Sequence, residues 1–334
     1  MILVTGATGL VGGNLLWQLL QEGETVVATR RSTSSTDLLE KIFSFYTPDP
    51  GEFMSRIQWR TADILDPGSI RKAMVGISTV YHCAAQVSLG GNDGNLLDTN
   101  VSGTRNVVQA ALEEKVGKLC FVSSIAACGE GKPGELIDEE TPWAENPGRS
   151  LYSQSKYLAE QEVWKGIDAG LPAVIVNPGV VLGYSGNGTG SSLLFSRSQR
   201  GLPFYVNGGS GYVDVKDVAR VMIELVNSPL TGQRFLLVAE NCSTLDILNW
   251  MADGFGKRRP FIRVGKAVIG MAGMHAELAG KLFRFRPPFN RNTARTLTNR
   301  KYYSSRKIEA ALGFEFASIE TCIHEVCRFM KQKA

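Results

Sequence analysis

The sequence is poor in histidine, has no paired cysteines and contains no long apolar run. Its three histidines, His82, His275 and His324, are scattered and show no metal-ligand spacing, so no metal is expected. Cys83, Cys120, Cys128, Cys242, Cys322 and Cys327 form no Cys-x-x-Cys pair, and Cys83 and Cys120 lie in apolar, strand-like runs where buried free thiols are common. That usage excludes a disulfide framework and points to a reducing, cytoplasmic setting. No stretch reaches the ~18 uninterrupted apolar residues of a membrane-spanning helix. Thirty-six basic against 32 acidic side chains leave a formal charge of only +4, with no basic run interleaved with aromatics, so no nucleic-acid partner is expected. An apolar run that already begins at Ile2 leaves no room ahead of it for a signal or transit peptide.

What is present is organised around Ile2 to Gly13. An apolar run leads to Gly6, Gly9 and Gly12 at intervals of three, followed by an apolar pattern at helical spacing, which reads as strand, turn and helix. A buried strand then delivers the backbone to a turn free of side chains, and the helix offers unpaired N–H groups and its positive end to a diphosphate. Gly6 suits the tight turn, Gly9 the close approach of the ligand, and Gly12 close packing of helix on strand. Thr8, Leu10 and Val11 lie between them and are candidate contacts of the same dinucleotide.

The next β-branched run, Thr25 to Thr29, predicts the second strand, and its end is where an acidic residue would bind the adenosine ribose. Here the chain has Arg30 and Arg31, two guanidinium groups suited to a 2′-phosphate. NADP(H) is therefore the expected cofactor, with NAD(H) as the alternative. Residues 33–56 predict a helix and then an irregular loop. A third strand, Ile57 to Thr61, is followed by Asp63 and Ile64, candidates for the adenine amino group and ring, although Asp63 equally suits a turn before Pro67. Ser78 to Cys83 predicts a fourth strand ending at Ala84, Ala85 and Gln86, where small residues leave space for a ligand. After a glycine-containing loop from Val87 to Asp98, a helix is expected from Thr99 with Asn100 near its start. Lys118 to Ser123 predicts a fifth strand ending in Ser123-Ser124. Alternating strands and helices leave one economical α/β fold, a Rossmann-type doubly wound parallel sheet.

A helix beginning near Pro147 contains Tyr152 and Lys156, four apart and so on one face. An ammonium beside a phenol favours the phenolate and would bring it from about 10 toward neutral working range. Ser124 is placed to hold a carbonyl or hydroxyl oxygen against Tyr152. By itself such a pair is commonly an exposed helix contact; behind a glycine-rich turn and a strand ending in Ser-Ser it points to hydride-transfer chemistry.

These segments resemble the extended short-chain dehydrogenase/reductases of the NAD-dependent epimerase/dehydratase superfamily. The matching elements are TGATGLVG at 5–12, DIL at 63–65, NVSGTRNV at 100–107, FVSS at 121–124, YSQSK at 152–156, NPGVVLG at 177–183 and YVDVKDVA at 212–219. The resemblance implies a catalytic Ser124, Tyr152 and Lys156, with Lys156 also on the nicotinamide ribose, and a supporting role for Asn100 in the proton relay. It implies that Pro178, Gly179 and Val181 border the nicotinamide, and that a homodimer pairs through the helices carrying Asn100 and Tyr152. Arg30 and the SSRKIEAALGF pattern at 304–314 look like the dihydroflavonol reductase-like and 3β-hydroxysteroid dehydrogenase-like branch. Asn177 departs from the family, which more often carries arginine there, and this leaves the anchoring of the following loop in question.

The expected division is a cofactor domain of residues 1–183, with 206–240 returning to it, and a substrate lobe of 184–205 and 241–334. Strands are expected at 171–176 and 235–238, and a helix at 193–200. Candidate substrate-lining residues are Gln86, Ser88, Tyr184, Phe204 and Tyr205, each equally suited to packing. Val264, Val268, Met271, Leu278 and Leu282 recur at near-helical spacing, which predicts a lobe helix; an amphipathic helix on a membrane surface is the alternative. The expected activity is NADP(H)-dependent interconversion of a ketone or aldehyde and an alcohol. The rivals are a nucleotide-sugar epimerase with retained NAD(H), which needs diphosphate-binding bases such as Arg197, Arg200 and Arg234, and a non-catalytic NADP(H)-sensing protein.

Overall fold

A computed structural model describes residues 1–87, 94–132, 134–144, 146, 149–186, 191–265, 267–271, 274 and 298–333. Ser88, residues 187–190 and most of the 264–282 segment lie outside these residues. The first half of the chain runs β1 (Ile2–Thr5), α1 (Leu10–Gln21), β2 (Val26–Arg30), α2 (Asp37–Phe43), α3 (Pro50–Ser55), β3 (Gln58–Thr61), α4 (Pro67–Met74), β4 (Thr79–His82), α5 (Gly103–Glu113), β5 (Lys118–Val122) and α6 (Leu151–Asp168). The second half adds β6 (Ala173–Pro178), β7 (Val180–Leu182), α7 (Ser191–Arg200), β8 (Phe204–Val206), β9 (Gly209–Asp214), α8 (Val215–Asn227), β10 (Gln233–Leu237) and β11 (Glu240–Ser243). After these come α9 (Thr244–Phe255), β12 (Ile262–Val264), α10 (Arg306–Leu312) and α11 (Ile319–Gln332).

Seven parallel strands form the main sheet in the order β10-β6-β5-β4-β1-β2-β3. Alternation along each strand fills two core layers. Val4, Tyr81, Cys120, Val122, Val174 and Val176 face a layer with α1 and α8, whereas Leu3, Val80, Leu119, Phe121, Ala173 and Ile175 face a layer with α4, α5 and α6. The predicted doubly wound sheet is thus what forms, and the order reverses between β1 and β4. In open α/β sheets the crevice outside the carboxyl ends of such strands is where ligands bind.

Three local expectations change. Residues 33–56 hold two short helices rather than one: the Asp49 side chain accepts from Glu52 N at 3.3 Å and Pro50 occupies the first turn, which is favourable helix-start chemistry. Trp17 of α1 packs against Phe43, Tyr46 and Phe53 there, with ring centres 4.5–5.4 Å apart. α6 starts at Leu151, later than Pro147, because Ser150 caps it by accepting from Ser153 N. The helix from Thr99 opens with a wide turn over Asp98–Ser102 in which the hydrogen bonds skip a residue.

Beyond the sheet, β7, β9 and β11 form a small mixed sheet and β8 pairs with β12. Phe195, Tyr212, Ile247, Met251, Ile319, Ile323 and Val326 build a separate core there. A side chain at Gly254 of α9 would sit 2.9 Å from Cys327 of α11, which marks how closely those helices pack. All six cysteines are free thiols. Among the described residues, no helix is long and apolar enough to cross a membrane, and no cluster of three or more His, Cys, Asp or Glu could hold a metal ion.

Candidate active site

The glycine turn lies at the β1–β4 switch. Gly6 has φ +67°, and a Cβ there would meet Ala84 N at 2.5 Å, so the turn needs glycine twice over. A Cβ on Gly12 would collide with the Gly6 carbonyl, which accounts for the close helix–strand packing. Gly9 differs: a Cβ there meets only the Gly6 carbonyl, at 3.3 Å, and its other side is open. No side chain caps α1 at Gly9 and no acid sits in its first turn, so its N–H groups and positive end face the crevice. These residues fit a dinucleotide diphosphate.

Beneath the turn is an arrangement not drawn from the sequence. His82 is wholly buried; its Nδ1 pairs with Thr5 Oγ1 at 2.7 Å and its Nε2 with Thr104 Oγ1 at 3.1 Å. Burial, then the charge of Lys156, pushes this imidazole down to about 3. It is neutral at physiological pH and ties β1, β4 and α5 together. Each of the three residues is unremarkable in sequence, and only strand pairing brings them into contact.

Arg30 ends β2 exposed, its guanidinium 5.1 Å from the centre of the Trp59 ring, and Arg31 beside it is exposed as well. The Asp63 carboxylate accepts from Leu65 N at 3.0 Å, the turn its sequence context allowed, and Ile64 lies over Gly103 of α5. Ala84 and Ala85 line the chain after β4. Gln86 is held by Asn100, whose Oδ1 accepts from Gln86 N at 2.7 Å and whose Nδ2 donates to Gln86 O at 3.0 Å and to Ser155 Oγ at 2.9 Å. Asn100 thus clips the β4 loop to α6, and the bonds are set by the wide turn in which it sits.

Ser124, Tyr152 and Lys156 come together at the carboxyl end of β5. Ser124 is extended, its Oγ accepts from Ala126 N at 3.1 Å, and it hydrogen bonds with Tyr152. Lys156 is buried and its Nζ donates to Val122 O at 3.0 Å. The expected direction for the phenol is not what this chain produces: burial raises Tyr152, and the Ser124 hydrogen bond only partly opposes it. The ammonium is turned to Val122, and burial pushes it down to about 8, against the opposing pull of Glu160 and Cys83.

Asn177 answers the question of loop anchoring. It is wholly buried, and its Nδ2 donates to Ser124 O at 3.0 Å and to Glu160 Oε1 at 2.5 Å. Pro178 is buried at the end of β6, Gly179 N donates to Leu237 O at 2.9 Å, and a Cβ on Gly179 would strike Gly211 O at 2.5 Å; Val181 packs against the main core. Arg234, expected as a base for a sugar diphosphate, is instead engaged inside the fold: it bonds to the Glu139 carbonyl and lies 3.5 Å from Glu160 Oε2. Tyr184 packs with Phe45 and Phe329, at ring-centre distances of 6.0 and 4.8 Å. Phe204 and Tyr205 lie on β8 opposite Ile262 and Arg263, with Phe204 54% exposed.

Residues 2–237 match the model of the NAD dependent epimerase/dehydratase family. The chain belongs to that family. This family member is 30% identical to the "Putative dihydroflavonol 4-reductase" of Synechocystis sp., over 98% of this chain and 94% of that protein. It is 29% identical to "Sterol demethylase protein B" of Methylococcus capsulatus, over 99% of this chain and 98% of that one. The crystal structure of gox2253 superposes with a TM-score of 0.83 at 27% identity, covering 100% of this chain and 98% of its own. The epimerase/dehydratase family member described here is an NAD(P)-dependent enzyme of the extended short-chain dehydrogenase/reductase type.

Proposed function

We propose that the protein is an NADP(H)-dependent oxidoreductase that interconverts a ketone or aldehyde and an alcohol. The observation that carries this is the Ser124–Tyr152 contact beside the buried Lys156, at the end of the sheet where the glycine turn opens. A bound nicotinamide would supply or accept the hydride. Ser124 would hold the substrate oxygen, and Tyr152, kept protonated by burial, would give its proton to that oxygen on reduction. Lys156, with one N–H on Val122, would use its other N–H groups on the nicotinamide ribose. Asn100 would act through Gln86 and Ser155, as a positioning residue.

Arg30 and Arg31 support NADP(H), being exposed cations where an acid would select NAD(H). In the same reading Gly6, Thr8, Gly9, Leu10, Val11 and Gly12 cradle the diphosphate, Asp63 and Ile64 border adenine, and Ala84, Ala85, Ser123, Pro178, Gly179 and Val181 line the nicotinamide side. Residues 1–183 and 206–240 form the cofactor domain, and 184–205 with 241–334 the substrate lobe, with Gln86, Ser88, Tyr184, Phe204 and Tyr205 toward the substrate. Two copies pair through α5 and α6, where Leu158 is 42% exposed. The relative described as a dihydroflavonol reductase supports a carbonyl substrate. The sugar-nucleotide alternative loses Arg234 to Glu160 and Glu139.

The test is the dissociation constants of NADPH and NADH, followed by turnover on a panel of ketones and aldehydes. At least about tenfold preference for NADPH, ~1.4 kcal/mol, abolished in Arg30→Ala/Arg31→Ala, is expected. Tightly retained NAD(H), with turnover only on nucleotide sugars, would overturn the proposal.

A further inference from the structure

Glu160 is wholly buried on α6, one helical turn beyond Lys156, where a charge is costly unless it is paired. Its Oε1 accepts from Ser123 Oγ at 2.5 Å and from Asn177 Nδ2 at 2.5 Å, joining the ends of β5 and β6. Its Oε2 has no hydrogen-bond partner but lies 3.5 Å from Arg234 Nη1 on β10. Arg234 is itself aimed by the Glu139 carbonyl and is only 19% exposed. The carboxylate therefore stands 3.5 Å from a cation fixed at the sheet edge and one helical turn from the buried Lys156 of the site. The other titratable groups acting here are the Cys128 thiol near Glu160, Arg234 and Glu139, and the Cys83 thiol and neutral His82 near Lys156.

We infer that Glu160 is a positioning residue for Lys156, the buried counter-charge that keeps this lysine an ammonium in its working position, with Arg234 in turn keeping Glu160 ionised. A buried ammonium held only by the Val122 carbonyl loses its proton more readily, because low dielectric disfavours the charged form. A carboxylate one turn away on the same helix face opposes that loss, as the pull of Glu160 on Lys156 shows. Burial holds the Glu160 carboxyl above the usual carboxylate range, and the Ser123 hydrogen bond, the Arg234 charge and the Asn177 hydrogen bond oppose that rise. The inference rests on the reading of Lys156 as a cofactor contact, and its test is built so that the two can fail separately.

NADPH binding would be followed by nucleotide fluorescence from pH 6 to 10 in wild type, Glu160→Gln, Arg234→Gln and Lys156→Met, with thermal melting beside it. Wild-type affinity is expected to fall above about 8, as the ammonium is lost. In Glu160→Gln that fall begins about one pH unit lower or more, with affinity at pH 6 changed by no more than about threefold. Arg234→Gln moves the fall in the same direction by less. Lys156→Met shows no such fall; if it binds with wild-type affinity and profile, the reading of Lys156 fails. A folded Glu160→Gln with an unshifted profile and only a lower Tm overturns the inference. Should Glu160→Gln not fold, an unshifted Arg234→Gln overturns it equally.

Discussion

Ser153 Oγ donates to the carbonyl of Ala126 at 2.5 Å, tying the helix that carries Tyr152 to the turn that follows Ser124. Tyr152 precedes Ser153 directly and Ser124 lies two residues before Ala126, so this bond holds together the two segments whose side chains pair in the site. Ser153→Ala leaves a half-buried carbonyl unpaired, a cost of about 1 kcal/mol. We expect a lower Tm and a reduced kcat with NADPH affinity unchanged. An unchanged kcat, measured in single turnovers, would mean that other contacts hold the pair.

Tyr152→Phe removes the acid while keeping the ring. The expected loss in kcat is about 10²- to 10⁴-fold, with NADPH affinity within a few fold. Because burial raises the phenol, it stays protonated through neutral pH. Carbonyl reduction should therefore be insensitive to that group at pH 6–8, whereas alcohol oxidation, which needs the phenolate, should climb with pH. Opposite slopes in the two directions would contradict the assignment.

The two glycines of the turn separate binding from folding. Gly9→Ala adds a methyl group whose one near neighbour is the Gly6 carbonyl at 3.3 Å, a contact a small shift relieves, at an ordinary φ of −90°, so the fold should stand while NADPH affinity drops by at least about tenfold. Gly12→Ala drives its methyl group into the Gly6 carbonyl and should cost about 1–3 kcal/mol of stability as well. Thermal melting with and without NADPH distinguishes them. Equal melting losses would show that Gly9 is needed by the fold itself.

His82 gives the protein an acid sensitivity. Its folded value of about 3 lies below the unfolded value of about 6.5, so from pH 6.5 downward the unfolded chain binds a proton that the native chain refuses. Stability is lost as pH falls through that window, by about 2 kcal/mol at pH 5 from this group alone. His82→Asn cannot take that proton. Its denaturation free energy should be lower at pH 7.5 but flatter between pH 7 and 5; parallel curves for the two proteins would rule the histidine out.

The strands were legible because β-branched and apolar runs such as Val26 to Thr29 and Val174 to Val176 face core on both sides, and the glycine turn because its intervals reflect contacts inside one short segment. Tyr152 and Lys156 were legible for the same local reason, being one helical turn apart. What the sequence could not display depends on contacts across the sheet. Arg234 meets Glu160, and Asn177 meets Ser124, only once β10, β6 and β5 are side by side. The direction of the Tyr152 phenol is not legible in the spacing, which shows a neighbouring ammonium but not the burial around the phenol or the Val122 carbonyl that holds the ammonium.

Among the described residues β10 is an edge strand, joined only to β6, and the chain makes it after passing through α7, β8, β9 and α8. A polypeptide emerging from the ribosome can therefore pair six strands while that edge is still bare and Glu160 still lacks its guanidinium. The sheet edge and the charge beneath the catalytic helix are completed together, late in synthesis. A chain halted before residue 233 would offer an open β edge to its neighbours and a site with an uncompensated acid, so truncation ahead of β10 should yield aggregates rather than a working cofactor domain.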